Sequence, residues 1–233
     1  MEILNRISLF GPLDAVAVAL WVAAWLAISW LIENPPAGRP SVATLMVAYR
    51  REWMKVLVTR QPRILDGAIL SMLRQGTTFF ASASMLWIGG GLALVGNTER
   101  LLGIARDLTL DTAPAVVWEV KILAVLLFVT NAFLKFVWAH RLFGYCAVIM
   151  AAVPNDPEDP EAFPRAVQAA EVNITAARSF NRGMRSLYFA LAGLAWLLGA
   201  GALILAVTAT LVVLWRREFM SQSRNALMKG AGS

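Results

Sequence analysis

Val116 to Met150 reads VVWEVKILAVLLFVTNAFLKFVWAHRLFGYCAVIM, thirty-five residues without proline and with a single glycine. An α-helix rises about 1.5 Å per residue and the hydrocarbon core of a bilayer is about 30 Å thick, so about twenty apolar residues cross it. This stretch predicts a helix that spans the membrane over 116–137 and continues beyond it over 138–150. Lys121 and Lys135 lie about 7 and 28 Å along from Val116. Near the two faces of the slab each ammonium can snorkel to water. That placement avoids the roughly 2.5–3.5 kcal/mol that a lysine costs at the bilayer centre.

Composition agrees with a membrane protein. Of 233 residues 58% are hydrophobic and only 15% charged, and mean hydropathy is +0.62. Soluble domains carry about 25% charged residues. Net charge is +6, but basic residues of membrane proteins gather in cytoplasmic loops and meet anionic lipid there. No nucleic-acid-binding motif accompanies the charge, so no nucleic-acid partner is expected. Cys146 is the only cysteine and His140 the only histidine. An intrachain disulfide is therefore excluded, and neither a metal site nor a cofactor is expected. The first apolar run, Leu13 to Ile32, is long enough for a span rather than a signal-peptide core.

In chain order, the first span is predicted over 13–32, after Gly11-Pro12 and before Asn34-Pro35-Pro36, with Asp14 favouring the helix N-terminus. Ser41 is positioned to cap an amphipathic helix over 41–60. Its residues Val42, Leu45, Met46, Tyr49, Trp53, Val56 and Leu57 recur at helical spacing among Arg50, Arg51 and Lys55. It reads as an interfacial helix with its apolar face in the headgroup boundary, or as a helix packed on other cytoplasmic segments. Pro62 suits a first helical turn and opens an extension over 62–76 that leads into a second span, 77–95. Along that helix Gly67, Ser71, Arg74, Thr78, Ser82 and Gly89 share a side, and small residues permit close approach, as Gly89 to Gly91 would too. In the connector from Asn97 to Ala113, Asp111 or Thr112 could cap the central helix. Pro154 to Pro164 is an acidic, proline-punctuated loop. A helix over 165–181, a bend at Asn181-Arg182-Gly183 and a last span over 187–215 follow. Ala192, Ala195, Gly199, Ala202, Ala206 and Ala209 recur every three or four residues on that last span, a seam suited to left-handed helix packing. The tail from Arg216 is polar and basic, and its terminal Gly-Ala-Gly-Ser is expected to be disordered.

The expected fold class is thus an all-α integral membrane protein with four transmembrane helices, some extended into the cytoplasm, plus the amphipathic helix. Four spans put both termini on one side. The two long loops then carry eleven cations, against seven on the termini and connector. The positive-inside rule favours cytoplasmic loops, while the basic tail pulls the opposite way. If that tail is cytoplasmic, the number of spans must differ or the molecule is inverted.

Several stretches carry a family resemblance. They are Arg51-Glu-Trp-Met54, Arg60-Gln-Pro-Arg-Ile-Leu-Asp66, Phe79-Phe-Ala-Ser82, Glu119-Val-Lys121, Asn131-Ala-Phe-Leu-Lys135, Phe180-Asn-Arg-Gly-Met-Arg185 with Tyr188-Phe-Ala, and Arg216-Arg-Glu-Phe-Met-Ser221. Together they resemble the bacterial and plant membrane-protein family known as domain of unknown function five hundred and ninety-nine. The resemblance runs from about Arg50 to Leu227 and implies a multi-spanning membrane protein without an assigned activity; the expected location is a bacterial inner membrane. The positions matching the family pattern are Arg63, Asp66, Lys135, Asn181, Arg185 and Glu218.

No catalytic constellation emerges, so no enzyme is expected. His140 and Cys146 are six residues apart, about 240° around a helix. The loop carboxylates Asp156, Glu158, Asp159 and Glu161 read as a solvated turn, and Asn173-Ile-Thr175 would be a glycosylation sequon only on an exported side. What stands out is a cation-rich membrane edge. Arg63, Arg74, Lys135, Arg141, Arg182 and Arg185 are candidates to bind an anionic group, because guanidinium forks match phosphate geometry. Asp66, Asn131, Asn181 and Glu218 are the expected structural polar network. The favoured reading is a structural or interaction component that packs with itself or a larger membrane complex and binds anionic lipid. An oligomeric channel or small-solute transporter is the alternative.

Overall fold

The computed structural model describes residues 9–97, 99, 103 and 114–230. The expected connector caps Asp111 and Thr112 and the terminal Ala231 to Ser233 lie outside them. Seven α-helices are described: α1 Pro12–Glu33, α2 Val42–Thr59, α3 Ile64–Val95, α4 Ala115–Ala151, α5 Ala162–Leu194, α6 Ala200–Phe219 and α7 Gln222–Gly230. A short 3-10 helix, Ala195–Leu198, joins α5 to α6. Among the described residues there is no strand. Four helices, α1, α3, α4 and the run that begins with α6, are long and apolar enough to cross a membrane. The fold is an all-α membrane protein.

The chain divides into two compact units. The first comprises Met1–Trp30, Ala83–Ala132 and Met184–Arg216. Its packing centre is Trp21, 1% exposed, whose ring stacks on Phe128 at 4.3 Å between centroids and whose indole N–H donates to the Phe189 carbonyl at 2.8 Å. Gly193 is what allows this. A methyl group there would overlap the Trp21 ring and press on Val125, so α5 comes close to α1 and α4 only without a side chain at that position. Trp196 donates to Asp14 at 2.6 Å, Asn131 donates to Ser186 at 2.7 Å, and Gly91 seats the Leu126 side chain. Lys121 does not reach water as expected. It is 9% exposed and lies over the rings of Trp118 and Trp196, 5.2 and 5.7 Å from their centroids, where cation–π attraction offsets part of its desolvation.

The last span departs from the sequence expectation in two ways. Asn181-Arg182-Gly183 makes no bend, because α5 runs unbroken through it; Gly183 instead provides the gap filled by the Phe136 ring. The helix breaks later, where Gly199 adopts φ 115°, a conformation that favours glycine. Residues 187–215 are therefore not one helix, and the row from Ala192 to Ala209 is not one face. On α6 the buried residues are Ala200, Leu203, Val207, Leu214 and Phe219, while Ala209 is exposed.

The second unit comprises Leu31–Ser82, Phe133–Gly183 and Arg217–Ser233. An alanine seam does exist here, on the first half of α5. Ala162, Ala166, Ala169, Ala170, Ala176 and Ala177 are buried against Phe143, Cys146 and Met150 of α4 and against Met54, Leu57 and Val58 of α2. Met54, Leu57 and Val58 of α2 thus pack on protein, as the second reading of this helix has it, while Tyr49 and Val56 of its apolar row are exposed. Ser41 caps α2 by accepting from Thr44 N–H at 3.1 Å, and Glu218 adds a second cap by accepting from Ala43 N–H at 3.1 Å. Pro62 stands before α3, in a cis peptide with Gln61, rather than in its first turn.

Candidate functional site

The second unit contains a cavity of about 680 Å³, within the range of small-molecule pockets. From α3 come Gly67, Leu70, Ser71, Arg74, Gln75 and Thr78, one side of the helix at spacings of three and four. From α4 come His140, Ala147, Met150 and Ala151, and Leu57, Arg63 and Asn155 complete the wall. This side of α3 is the one the sequence marked by its small and hydroxyl residues, and Gly67, Ser71, Arg74 and Thr78 of that row border a space instead of a helix contact.

The chemistry concentrates at Arg74 and His140. Thr77 donates to the Arg74 carbonyl at 2.6 Å, and His140 Nδ1 lies 3.2 Å from Thr77 Oγ1 and 3.3 Å from Thr78 Oγ1. Arg74 Nη2 stands 3.5 Å from His140 Nε2. Guanidinium can only donate, so a hydrogen bond from Arg74 would use His140 Nε2 as its acceptor. Among the described residues no carboxylate pairs with Arg74. An exposed guanidinium, an imidazole and hydroxyls thus converge at one part of a cavity whose other walls include Leu57, Leu70, Ala147 and Met150.

The other predicted cations have different partners. Arg63 donates to four backbone carbonyls, those of Leu57 at 3.2 Å, Val58 at 3.4 Å, Val153 at 2.6 Å and Pro154 at 2.6 Å. It satisfies chain ends left open after α2 and α4, and although it borders the cavity its donors are committed. Arg182 forms a fork with Glu33, and Arg185 is 4% exposed and donates to Ser29 at 3.2 Å. Arg141 donates to Tyr145 at 3.0 Å and lies over Trp138. At Lys135 the backbone carbonyl accepts from Ser179 at 3.0 Å. Of the six, Arg63 and Arg74 border this cavity, and Arg74 is the one whose donors are not committed to backbone carbonyls.

Of the expected polar network, Asp66 is wholly buried and accepts from Trp53 Nε1 at 2.7 Å and from Arg60. Its second oxygen has no hydrogen-bond partner among the described residues. Asn181 is half-buried and is not brought to Asp66 by any described bond. Two networks escaped the sequence reading. Asn173, fully buried, accepts from Arg50 and donates to Cys146 Sγ at 3.6 Å, which removes it as a glycosylation acceptor. Burial holds the Arg50 guanidinium below its ordinary pKa, with the Cys146 side chain opposing. On the surface, the hydrogen bond and charge of Glu171 raise that of Arg51. The signal for Asn173 was its place in the alanine repeat of α5, a polar residue on a buried face. In the acidic loop Asp156 and Asp159 accept from the backbone N–H groups of Glu158 and Glu161, at 3.0 and 2.8 Å, as turn residues do. Among the described residues no cluster of side chains suited to a metal ion occurs.

No curated protein and no solved structure matches the chain. A family model does, that of the proteins of unknown function DUF599, over residues 16–223. The chain therefore belongs to the DUF599 family.

Proposed function

We propose that this protein is a non-enzymatic, multi-pass component of a bacterial inner membrane that holds the anionic headgroup of a membrane amphiphile in the cavity between α3 and α4. One observation carries the reading: the Arg74 guanidinium, without a carboxylate partner among the described residues, borders a space that offers apolar walls for the adjoining chain. Hydrogen bonds in which one partner is ionised are roughly twice as strong as neutral ones, and a guanidinium presents two parallel donors to a phosphate or carboxylate. Thr78, Ser71 and the imidazole would supply the remaining polar contacts. Such a bound lipid would join structural helices into one packing unit, as expected of an interaction component rather than an enzyme.

The test is native mass spectrometry of the detergent-purified protein titrated with phosphatidylglycerol and, separately, phosphatidylcholine. Wild-type protein should retain the anionic lipid preferentially. Arg74→Gln should weaken that retention about tenfold, the equivalent of about 1.4 kcal/mol. Arg141→Gln, whose parent side chain rests on Tyr145 and Trp138, should retain it. Equal retention by Arg74→Gln and wild type would overturn the proposal.

A further inference from the structure

Hydropathy alone selects four crossing helices, and α5 is not among them, because Arg178, Arg182 and Arg185 interrupt its apolar run. Its neighbours tell a different story. Asp14, near the start of α1, accepts from Trp196 just past the end of α5. Trp21 donates to the Phe189 carbonyl, Ser29 accepts from Arg185, and Glu33, the last residue of α1, pairs with Arg182. As the α1 numbers rise, their partners' numbers fall. The two helices are antiparallel and stay in contact from Asp14 to Glu33, about 28 Å of helix, which is nearly the thickness of the hydrocarbon core.

If α1 crosses the membrane, the end of α5 crosses beside it. Its charges are compatible with that position. Arg182 stands at the boundary against Glu33, and Arg185 is shielded from lipid by protein, as intramembrane cations are. Gly193 seals the contact on the opposite turns.

The chain then turns at Gly199 and continues as α6. At the far end of α6, Glu218 caps α2 at Ala43, and Arg224 of α7 donates to the Pro40 carbonyl at 2.8 Å. Ser41, in the same loop, donates to the Ile32 carbonyl at 2.7 Å. The helix that starts by the partner of Asp14 thus ends by the loop that follows Glu33.

We infer that the chain crosses the membrane five times, through α1, α3, α4, α5 and α6, so that the N-terminal lead and the basic C-terminal helix lie on opposite sides. The charge distribution supports this independently. With five crossings Arg185 lies within the membrane, and the loops and the tail share one side and carry fourteen cations, while the other side keeps Arg6, Arg100 and Arg106. Four crossings leave eleven against seven, with the tail opposed to the loops. The positive-inside rule then assigns the tail and both long loops to the cytoplasm, and the N-terminus to the exterior. The fourteen-cation face is the one that meets the anionic leaflet.

Labelling of intact cells with a membrane-impermeant maleimide tests this, using the single-cysteine variants Leu9→Cys, Glu158→Cys and Met228→Cys in a Cys146→Ser background. All three parent residues are exposed and Cys146 is buried. Leu9→Cys should label in intact cells, and the other two only after permeabilisation. Labelling of Leu9→Cys and Met228→Cys from the same side would overturn the inference. Should the background variant fail to accumulate, fusing a fluorescent protein to the C-terminus of the otherwise unaltered chain gives the same answer. Fluorescence from a cytoplasmic fusion is expected, and activity of an exported phosphatase fused there instead would overturn it.

Discussion

Replacing Asp66 with alanine should be among the most disruptive single changes in the second unit. The carboxylate is wholly buried and holds both Trp53 Nε1 and Arg60. Removal strands the indole N–H, at a cost of about 1–3 kcal/mol. The Arg60 side chain is 32% exposed and can turn to water, so the lost ion pair adds only about 1 kcal/mol. The expected loss is roughly 2–4 kcal/mol. For a chain of this size a kcal/mol moves the midpoint by about 2–4 °C, so thermal unfolding in detergent should fall by roughly 4–16 °C. Asp66→Asn keeps an acceptor for Trp53 and should lose about half as much. Trp53→Phe provides the double-mutant partner, and the pair should be non-additive by at least about 0.5 kcal/mol. An Asp66→Ala midpoint within a degree of wild type, or strict additivity with Trp53→Phe, would refute the assigned network.

Other substitutions probe separate contacts. Trp21→Ala should lower stability by about 3–5 kcal/mol in the same unfolding assay, because it empties the packing centre of the first unit. Gly193→Val should destabilise comparably, since its side chain meets the Trp21 ring, whereas Gly67→Ala, with open space around it, should leave the midpoint within about 0.5 kcal/mol. Glu218→Ala should cost about 1 kcal/mol through the lost α2 cap and should increase amide exchange at Ala43. Cys146, buried against Ala169 and Asn173, should resist maleimide in the folded protein and react once it is unfolded in dodecyl sulfate.

Much of the fold was legible because bilayer physics writes itself into composition. Long proline-free apolar runs gave α1, α3 and α4, and Ser41 gave the start of α2. The end of α5 was not legible for the same reason. Its three arginines are tolerated by protein partners far away in sequence, Glu33 and Ser29, that hydropathy does not see. The alanine repeat was read on the wrong segment, because Ala192 to Ala209 has the right spacing but Gly199 breaks the helix that would align it. The repeat from Ala162 to Ala177 lay among charged residues and went unread.

The site was legible in type but not in membership. Arginines near one edge suggested an anion, yet sequence could not show that Arg63 serves four carbonyls, that Arg182 serves Glu33 or that Arg185 is buried. Those assignments depend on which loop and helix ends come together in the fold. Arg74 was distinguished by its company on α3, the small residues at 67, 71 and 78, which leave room beside it.

A density map of the protein in nanodiscs containing phosphatidylglycerol would show whether Arg74 anchors an anionic amphiphile. Headgroup density is expected within hydrogen-bonding distance of Arg74 and Thr78, with acyl density along Leu70 and Met150. A cavity filled only by water, with lipid confined to the outer surface of the helices, would contradict it.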